Sequence, residues 1–534
     1  MLKWLIGTTL LLLSLVNCDK PGEDTFLIFP APQEMRVDRD QCVDFDFKGH
    51  LKIGFTHESI RNAPAVNAGI RIFMARLGMM ADSSSVIAVS DTSSSDIILS
   101  IIEPQQFKTL LGSNGFGQMP EGNCLSGAYL LTMKKHEDRN SSLVISGVDG
   151  RGLYYGLLTA MQLFNPLPDR TSLPQVAIAD WPHTPNRLAK FSGSVNEPQT
   201  LRKYTNWLPF LRFNYNGLQF HREGKAGVFL RYRKAVQNEC RRSTATGLID
   251  VITYVSPFLH LSEYDFREQI APTTEKYLDF LLWALGQGAA GIEIDYNDFG
   301  KGDEIAVFIN HIYDAVKSRY PDARVLYCAP NEGPEQYRGL PSPRMQKTLK
   351  SIPDDVWVLW TGAIHPFHDI SPEHAAEWAQ LSGRKPFYWI NGISYRGVKV
   401  KYRGNDPKYI EIPGYVHQPS IVRLEKKPDA VVFNGSLQPR NLNNLFEGTH
   451  FNVGFTGGDG GRWGWHILPE TVPLEGMVYL ATAADYIWNP GQWSEEGSWR
   501  RAKRYVDMIT PIANRLLTMT GDELASPLPV FERR

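Results

Sequence analysis

The chain has 534 residues, 43% hydrophobic and 21% charged, with a formal net charge of -1. That balance carries no strong basic field, which argues against a nucleic-acid partner. The length allows two or three domains with large cores.

At the N-terminus a single basic residue, Lys3, precedes an apolar run from Trp4 to Val16 that is too short for a comfortable membrane span and reads as a signal peptide over residues 1–17. The run ends in Leu15-Val16-Asn17-Cys18, which resembles the bacterial lipobox. That resemblance implies cleavage before Cys18, a diacylglycerol on its thiol, and residence in the bacterial cell envelope, facing the periplasm or on the outer membrane, with the membrane as partner through the lipid. The alternative is an ordinary secreted protein with a chance cysteine near its cleavage site. Residues 18–25 are polar and suit a tether. Cys42, Cys124, Cys240 and Cys328 are widely spaced and form no paired C-x-x-C pattern, which argues against a zinc site and leaves three disulfide pairings open.

Residues 26–185 read as a small α/β domain. Asp96–Ile102 and Ala128–Met133 alternate as short strands, and a helix is expected around Ala68 to Leu77. In Val144–Phe164 a strand meets a turn carrying Gly147, Asp149 and Gly150, then a helix with Leu153, Leu157, Met161 and Phe164 at helical spacing. A Pro-rich stretch from Asn165 to Pro185 marks a boundary.

From Asn186 to Pro490, β-like runs alternate with helical segments: Gly217–Phe220, Leu248–Val255, Gly291–Tyr296, Arg324–Ala329, Val356–Trp360, Pro386–Ile390 and Ala430–Phe433. A further strand near Leu188 completes the eight of a (β/α)8 barrel, whose functional residues belong at the C-terminal strand ends. Residues 491–534 read as a helical C-terminal segment. The richest strand end is Gly291–Gly300, where alternation puts Glu293, Asp295 and Asn297 on one face and Asp298 where the strand gives way to its loop.

These residues carry a resemblance to the retaining β-N-acetylglucosaminidases of glycoside hydrolase family 84, over most of residues 144 to 500. The run from Val144 to Trp181 resembles the non-catalytic domain that precedes the barrel there and in family 20. Val358-Leu359-Trp360-Thr361-Gly362, Trp389-Ile390-Asn391, Phe433-Asn434-Gly435 and the segment from Ala481 to Pro490 each resemble strand ends or the closing helix of family 84. The resemblance implies a glycan or glycoprotein substrate and hydrolysis of β-linked N-acetylglucosamine or a related N-acetylhexosamine, assisted by the substrate's own acetamido group, with no metal or cofactor. Asp298 then stands as general acid and Asn297 in the place of the acid that polarises the acetamide, with Asp295 able to supply charge nearby. Trp389 becomes a stacking wall, while Asn391 and Asn434 contact sugar hydroxyls.

The departures are equally specific. An amide at 297 hydrogen-bonds the acetamide without offsetting the charge of the oxazolinium-like intermediate, a loss of about 2–4 kcal/mol, although endo-acting hexosaminidases of family 85 use Asn in this role. Lys190-Phe191-Ser192-Gly193-Ser194 replaces the family's Glu-Gly-Phe-Tyr-Gly, and Phe220-His221-Arg222-Glu223 replaces Pro-Lys-Asp-Asp. Tyr395 and Arg396 stand near a missing Asp. His221 and Tyr395 thus redraw the binding set, which keeps open a glycosidase for a different sugar or a catalytically weak surface glycan-binding lipoprotein. Glu293 is expected to be a hydrogen-bonded interior residue, and Trp360 and Trp488 to be core. His365–Asp369 reads as a polar loop rather than a metal site, and Gly457–Trp465 as either a mobile rim or a connection.

Overall fold

The computed structural model describes residues 27–47, 51–78, 86–89, 95–119, 125–136, 141–164, 170–192, 205–220, 226–255, 270–295, 302–329, 340–360, 372–391, 448–454, 473–516 and 531–532. They fall into two compact units whose boundary lies between Asp180 and Trp181, with residues 527–534 assigned to the first unit and 119–126 to the second. Among the described residues no helix is long and apolar enough to cross a membrane.

The first unit is a mixed sheet with helices. Its elements are β1 (Glu34–Asp46), β2 (Leu51–Phe55), α1 (Pro64–Arg76), β3 (Val86–Val89), β4 (Ile97–Ile101), α2 (Pro104–Ser113), β5 (Tyr129–Lys135), β6 (Ser141–Gly147), α3 (Gly150–Leu163) and β7 (Arg170–Asp180). The spatial order is β1-β7-β5-β6-β4-β2-β3, and the short strand Phe531–Glu532 adds to β3 in parallel. Helix α3 starts where the Asp149 carboxylate accepts the Gly152 N–H at 2.7 Å, satisfying one of the orphan donors of the first turn. Every residue from Gly152 to Leu163 is buried, so this helix is a core element rather than an amphipathic surface one.

Part of the Pro-rich boundary is therefore strand. In β7, Pro174 lies opposite Cys42, and β1 shifts register between Asp38 and Cys42. A proline has no N–H for the ladder, and an irregularity in the partner strand is where a sheet tolerates one. Cys42 is disulfide-bonded, whereas Cys240 and Cys328 are buried thiols outside any disulfide.

The second unit is a closed eight-stranded parallel barrel: β8 (Asn186–Ser192), β9 (Tyr215–Phe220), β10 (Asp250–Val255), β11 (Gly291–Asp295), β12 (Arg324–Cys328), β13 (Trp357–Trp360), β14 (Phe387–Asn391) and β15 (Gly448–Gly454). Helices α4 (Ala226–Thr246), α5 (Ile270–Gly286), α6 (Gly302–Arg319), α7 (Pro343–Lys350) and α8 (Pro372–Ser382) follow successive strands. The expected last strand, Ala430–Phe433, lies outside the described residues; among the described residues the ring is closed by β15. β15 pairs directly with β14 on one side and β8 on the other, in register along its whole length on the β8 side.

After the barrel come α9 (Pro473–Trp488) and α10 (Glu495–Leu516). The C-terminal segment is thus helical in part, with a strand at Phe531–Glu532 instead of a uniform helical tail. Trp488 is fully buried, with the guanidinium of Arg212 4.4 Å and that of Arg187 5.0 Å from its ring centroid. Arg212 takes a left-handed backbone (φ 61°), unusual for a residue with a side chain and held by its burial in this cluster. Asp485 accepts from Arg501 at 2.7 Å and ties α9 to α10, and the Tyr505 hydroxyl donates to the Phe210 carbonyl at 2.8 Å.

Candidate active site

Strand alternation decides what the barrel encloses. Leu188, Tyr215, Ile252, Leu326, Cys328, Trp357, Leu359 and Phe387 form one apolar cluster, with Trp357 and Phe387 stacked at 5.2 Å. Their positions fix the inward phase of each strand. Lys190 is two residues on from Leu188, and Tyr254 two on from Ile252, so both continue the inward set toward the C-terminal strand ends. Glu293 is in register with Tyr254 and with Leu326 and belongs to the same set.

The interior is therefore polar on one side. The Lys190 ammonium donates to Glu293 Oε1 at 2.6 Å, with the two side chains 0% and 1% exposed. Strands β9 and β10 lie between their two strands in the barrel order. The ammonium also sits 4.5 Å from the centroid of the Tyr254 ring, which faces it with its electron-rich side. Gly217 makes this path available: a Cβ there would lie 2.8 Å from Lys190 Cβ and 3.0 Å from its Cα. The Tyr277 hydroxyl on α5 donates weakly to the Glu293 carbonyl at 3.4 Å. On the opposite side, Cys328 and Leu359 continue the apolar lining as far as the row of Asp295, which is in register with Cys328.

The ion pair confirms Glu293 as a hydrogen-bonded interior group. A buried pair of this kind is weak evidence for stability, because desolvating both charges offsets most of their attraction.

The expected site residues are distributed as follows. Asp295 ends β11, and Trp389 and Asn391 lie on β14, all at C-terminal strand ends. Asn391 is in register with Asn452 of β15, and Asn452 in turn with Lys190. Asn297, Asp298, His221, Tyr395, Asn434 and Cys18 lie outside the described residues, as do His365–Asp369 and Gly457–Trp465. Asp298 follows the described end of β11 by three positions, and His221 follows the end of β9 by one.

Lys190, Gly217 and Asn452 are the positions that reading the sequence missed. Lys190 had registered only as a departure from a family pattern, and its partner stands 103 residues away. Trp360 packs on Trp378 of α8 at 5.8 Å and near Tyr388 at 6.1 Å, on the helix side of the strands, and Trp488 is buried between two arginines; both are core, as expected.

The comparisons agree with this architecture. Residues 25–181 match the sequence model of glycosyl hydrolase family 20, domain 2. CpGH84B aligns over 89% of this chain and 73% of its own, with 17% identity and a TM-score of 0.55. The beta-N-acetylhexosaminidase from Bacteroides fragilis NCTC 9343 aligns over 92% and 96%, with 12% identity and a TM-score of 0.55. The GH20 exo beta-N-acetylglucosaminidase from Vibrio harveyi aligns over 91% and 77%, with 14% identity and a TM-score of 0.56. At these identities the likeness is one of fold. The chain thus joins a segment matching domain 2 of glycosyl hydrolase family 20 to a closed parallel barrel, in the fold of the hexosaminidase-type structures of families 20 and 84.

Proposed function

We propose that the protein is a retaining glycoside hydrolase that releases β-linked N-acetylglucosamine or a related N-acetylhexosamine by substrate-assisted catalysis. The observation that carries this reading is the closed barrel whose strand β11 ends in Asp295, two residues before Asn297 and three before Asp298 in the sequence. The domain 2 match ahead of that barrel supports it.

In this mechanism the Asp298 carboxyl gives its proton to the glycosidic oxygen as the bond to C1 breaks. The substrate's acetamido carbonyl oxygen forms the new bond to C1, with Asn297 and Asp295 holding the acetamide N–H. Asp298, now a carboxylate, takes a proton from the water that opens the oxazolinium-like intermediate with retention. Trp389, Asn391, Asn434, His221 and Tyr395 form the sugar-binding set.

The test is Asp298→Asn assayed on aryl β-N-acetylglucosaminides. Turnover falls by about 10²- to 10⁴-fold, the usual worth of a positioned acid, and undiminished activity refutes the assignment. Asn297→Asp, which restores a charge opposite the developing cation, raises kcat. Asn297 also favours a second reading, a glycan-binding protein. Tight glycan binding without turnover, Asp298 intact, decides for it, and a panel of aryl glycosides identifies a different sugar. The same proposal places the chain in the bacterial envelope through a lipid on Cys18. The Cys42 disulfide supports an oxidising compartment, and Cys18→Ser abolishes metabolic labelling with fatty acid if the anchor is real.

A further inference from the structure

We propose that the C-terminal strand Phe531–Glu532 is a strap whose docking on β3 is governed by the folding of the barrel, so that this edge of the first unit's sheet opens when the barrel opens.

The order of the chain makes the strap conditional. The first unit takes residues up to Asp180 and again from Pro527 to the end, so the barrel unit stands in the chain between β7 and the strand that covers β3. Phe531 pairs with Ile87 and Glu532 with Ala88, in parallel. Two residue pairs form few ladder hydrogen bonds, and parallel pairing is the weaker kind, so the strand lies close to the balance between docked and released. An element near balance responds to any change in the entropy of bringing it into place.

Folding of the barrel changes that entropy. With the barrel unfolded, docking closes a loop made of all residues 181–530. In the folded barrel unit the chain's entry meets the end of α9, because the His183 N–H donates to the Trp488 carbonyl at 2.9 Å. The loop left to close is then residues 181–182 and 489–530, about eight times shorter, which favours docking by about 20-fold on the three-halves-power dependence of loop closure. Helix α10 shortens it further. Its Arg501 is held to Asp485 of α9 at 2.7 Å, and the Tyr505 hydroxyl donates to the Phe210 carbonyl at 2.8 Å, which leaves residues 517–530 between the helix and the strap.

Linkage makes the effect reciprocal: whatever the folded barrel adds to docking, docking adds to the barrel, up to the same ratio. The coupling passes through the covalent chain and the backbone pairing of the strap.

The experiment uses the full-length chain and Phe531→Pro combined with Glu532→Pro, since proline offers no N–H to a ladder. Amide exchange by mass spectrometry is followed as urea rises. Arg324–Cys328 of β12 reports the barrel, Ile97–Ile101 of β4 the interior of the sheet and Val86–Val89 of β3 its edge. In the unaltered chain, exchange at β3 accelerates by about 20-fold as β12 opens, while β4 stays protected. Trp488→Ala moves both events to lower urea together. In the double proline variant, β3 exchanges fast from the outset and does not follow β12.

Equal protection of β3 in the two chains overturns the proposal, as does protection of β3 that stays constant across the β12 transition of the unaltered chain. A response to β12 that survives the prolines does the same. Where β4 is lost together with β12, the reciprocal effect decides. The double variant must then exchange faster at β12 in native buffer, by a factor of up to about 20, and an unchanged rate overturns the proposal.

Discussion

Two ion pairs in the barrel unit have nearly the same length and nearly the same burial, and they sit in different surroundings. Lys190 and Glu293 meet at 2.6 Å inside the ring of strands, whereas Asp485 and Arg501 meet at 2.7 Å between the two helices that follow it. The second pair belongs to a packed cluster at the N-terminal ends of the strands, where Arg187, Arg212 and Trp488 stack and Tyr505 holds the Phe210 carbonyl. The first includes Glu293 of β11, two residues before the C-terminal end of that strand. Parallel barrels divide their labour along the strand direction, with stability concentrated at one end and chemistry at the other. Nearly equal bond lengths therefore say little about what a charge pair is for.

The comparison is broken most forcefully at Trp488. Trp488→Ala empties a fully buried indole site and removes the surface on which two guanidinium groups lie, at a cost of about 3–5 kcal/mol, read from urea denaturation. Asp485→Ala leaves Arg501 without its carboxylate and costs about 3–5 kcal/mol as well. Neither substitution moves the pH limbs of activity in the surviving folded protein, and a moved limb would erase the distinction between the two pairs.

A smaller effect is expected at Gly217→Ala, whose new methyl presses on Lys190. Overpacking there costs about 1–3 kcal/mol, read from the same denaturation.

Below that in size lies a pH effect at the N-terminal end of the barrel. Burial pushes the His183 imidazole down from the ordinary value to about 4. The folded protein binds that proton less readily than the unfolded chain does. Its contribution to stability is therefore present above about pH 6.5 and is lost as pH falls toward 4. Melting temperature against pH shows the decline, and His183→Gln flattens it. The smallest signal is chemical: burial, helped by the neighbouring Glu239 charge, pushes the Cys240 thiol up to about 12, so it resists alkylation until the barrel unfolds.

Much of the fold could be read from the sequence because parallel strands buried on both faces are near-continuous apolar runs. The runs at Leu188, Gly217, Leu248, Gly291, Arg324, Val356 and Pro386 all became barrel strands. The strand that closes the ring, Gly448–Gly454, was not anticipated, for a physical reason. Ala430–Phe433 is a compact β-branched and aromatic run, whereas Gly448-Thr449-His450-Phe451-Asn452-Val453-Gly454 is flanked by glycines and rich in polar residues, and so gives a weak strand signal. Its pairing with β14 and β8 comes from closing the ring, which no local pattern encodes.

The site was legible to a lesser degree. Alternation placed Glu293 and Asp295 on one face of β11 and Glu293 in the interior. That Glu293 pairs with Lys190 had no local signal, since spacing rules govern neighbours on one helix or strand and not residues meeting across a barrel. Pro174 misled in a similar way. Prolines ordinarily punctuate strands, and only the register shift in β1 explains why one sits in β7.

The strand at Phe531–Glu532 has a consequence for synthesis on the ribosome. It completes a sheet whose other members all emerge before residue 181, so the edge of β3 stays uncovered until the barrel and both following helices have been translated. An unguarded edge for that long invites pairing with other nascent chains, and a chaperone requirement during expression should rise when residues 531–532 are removed.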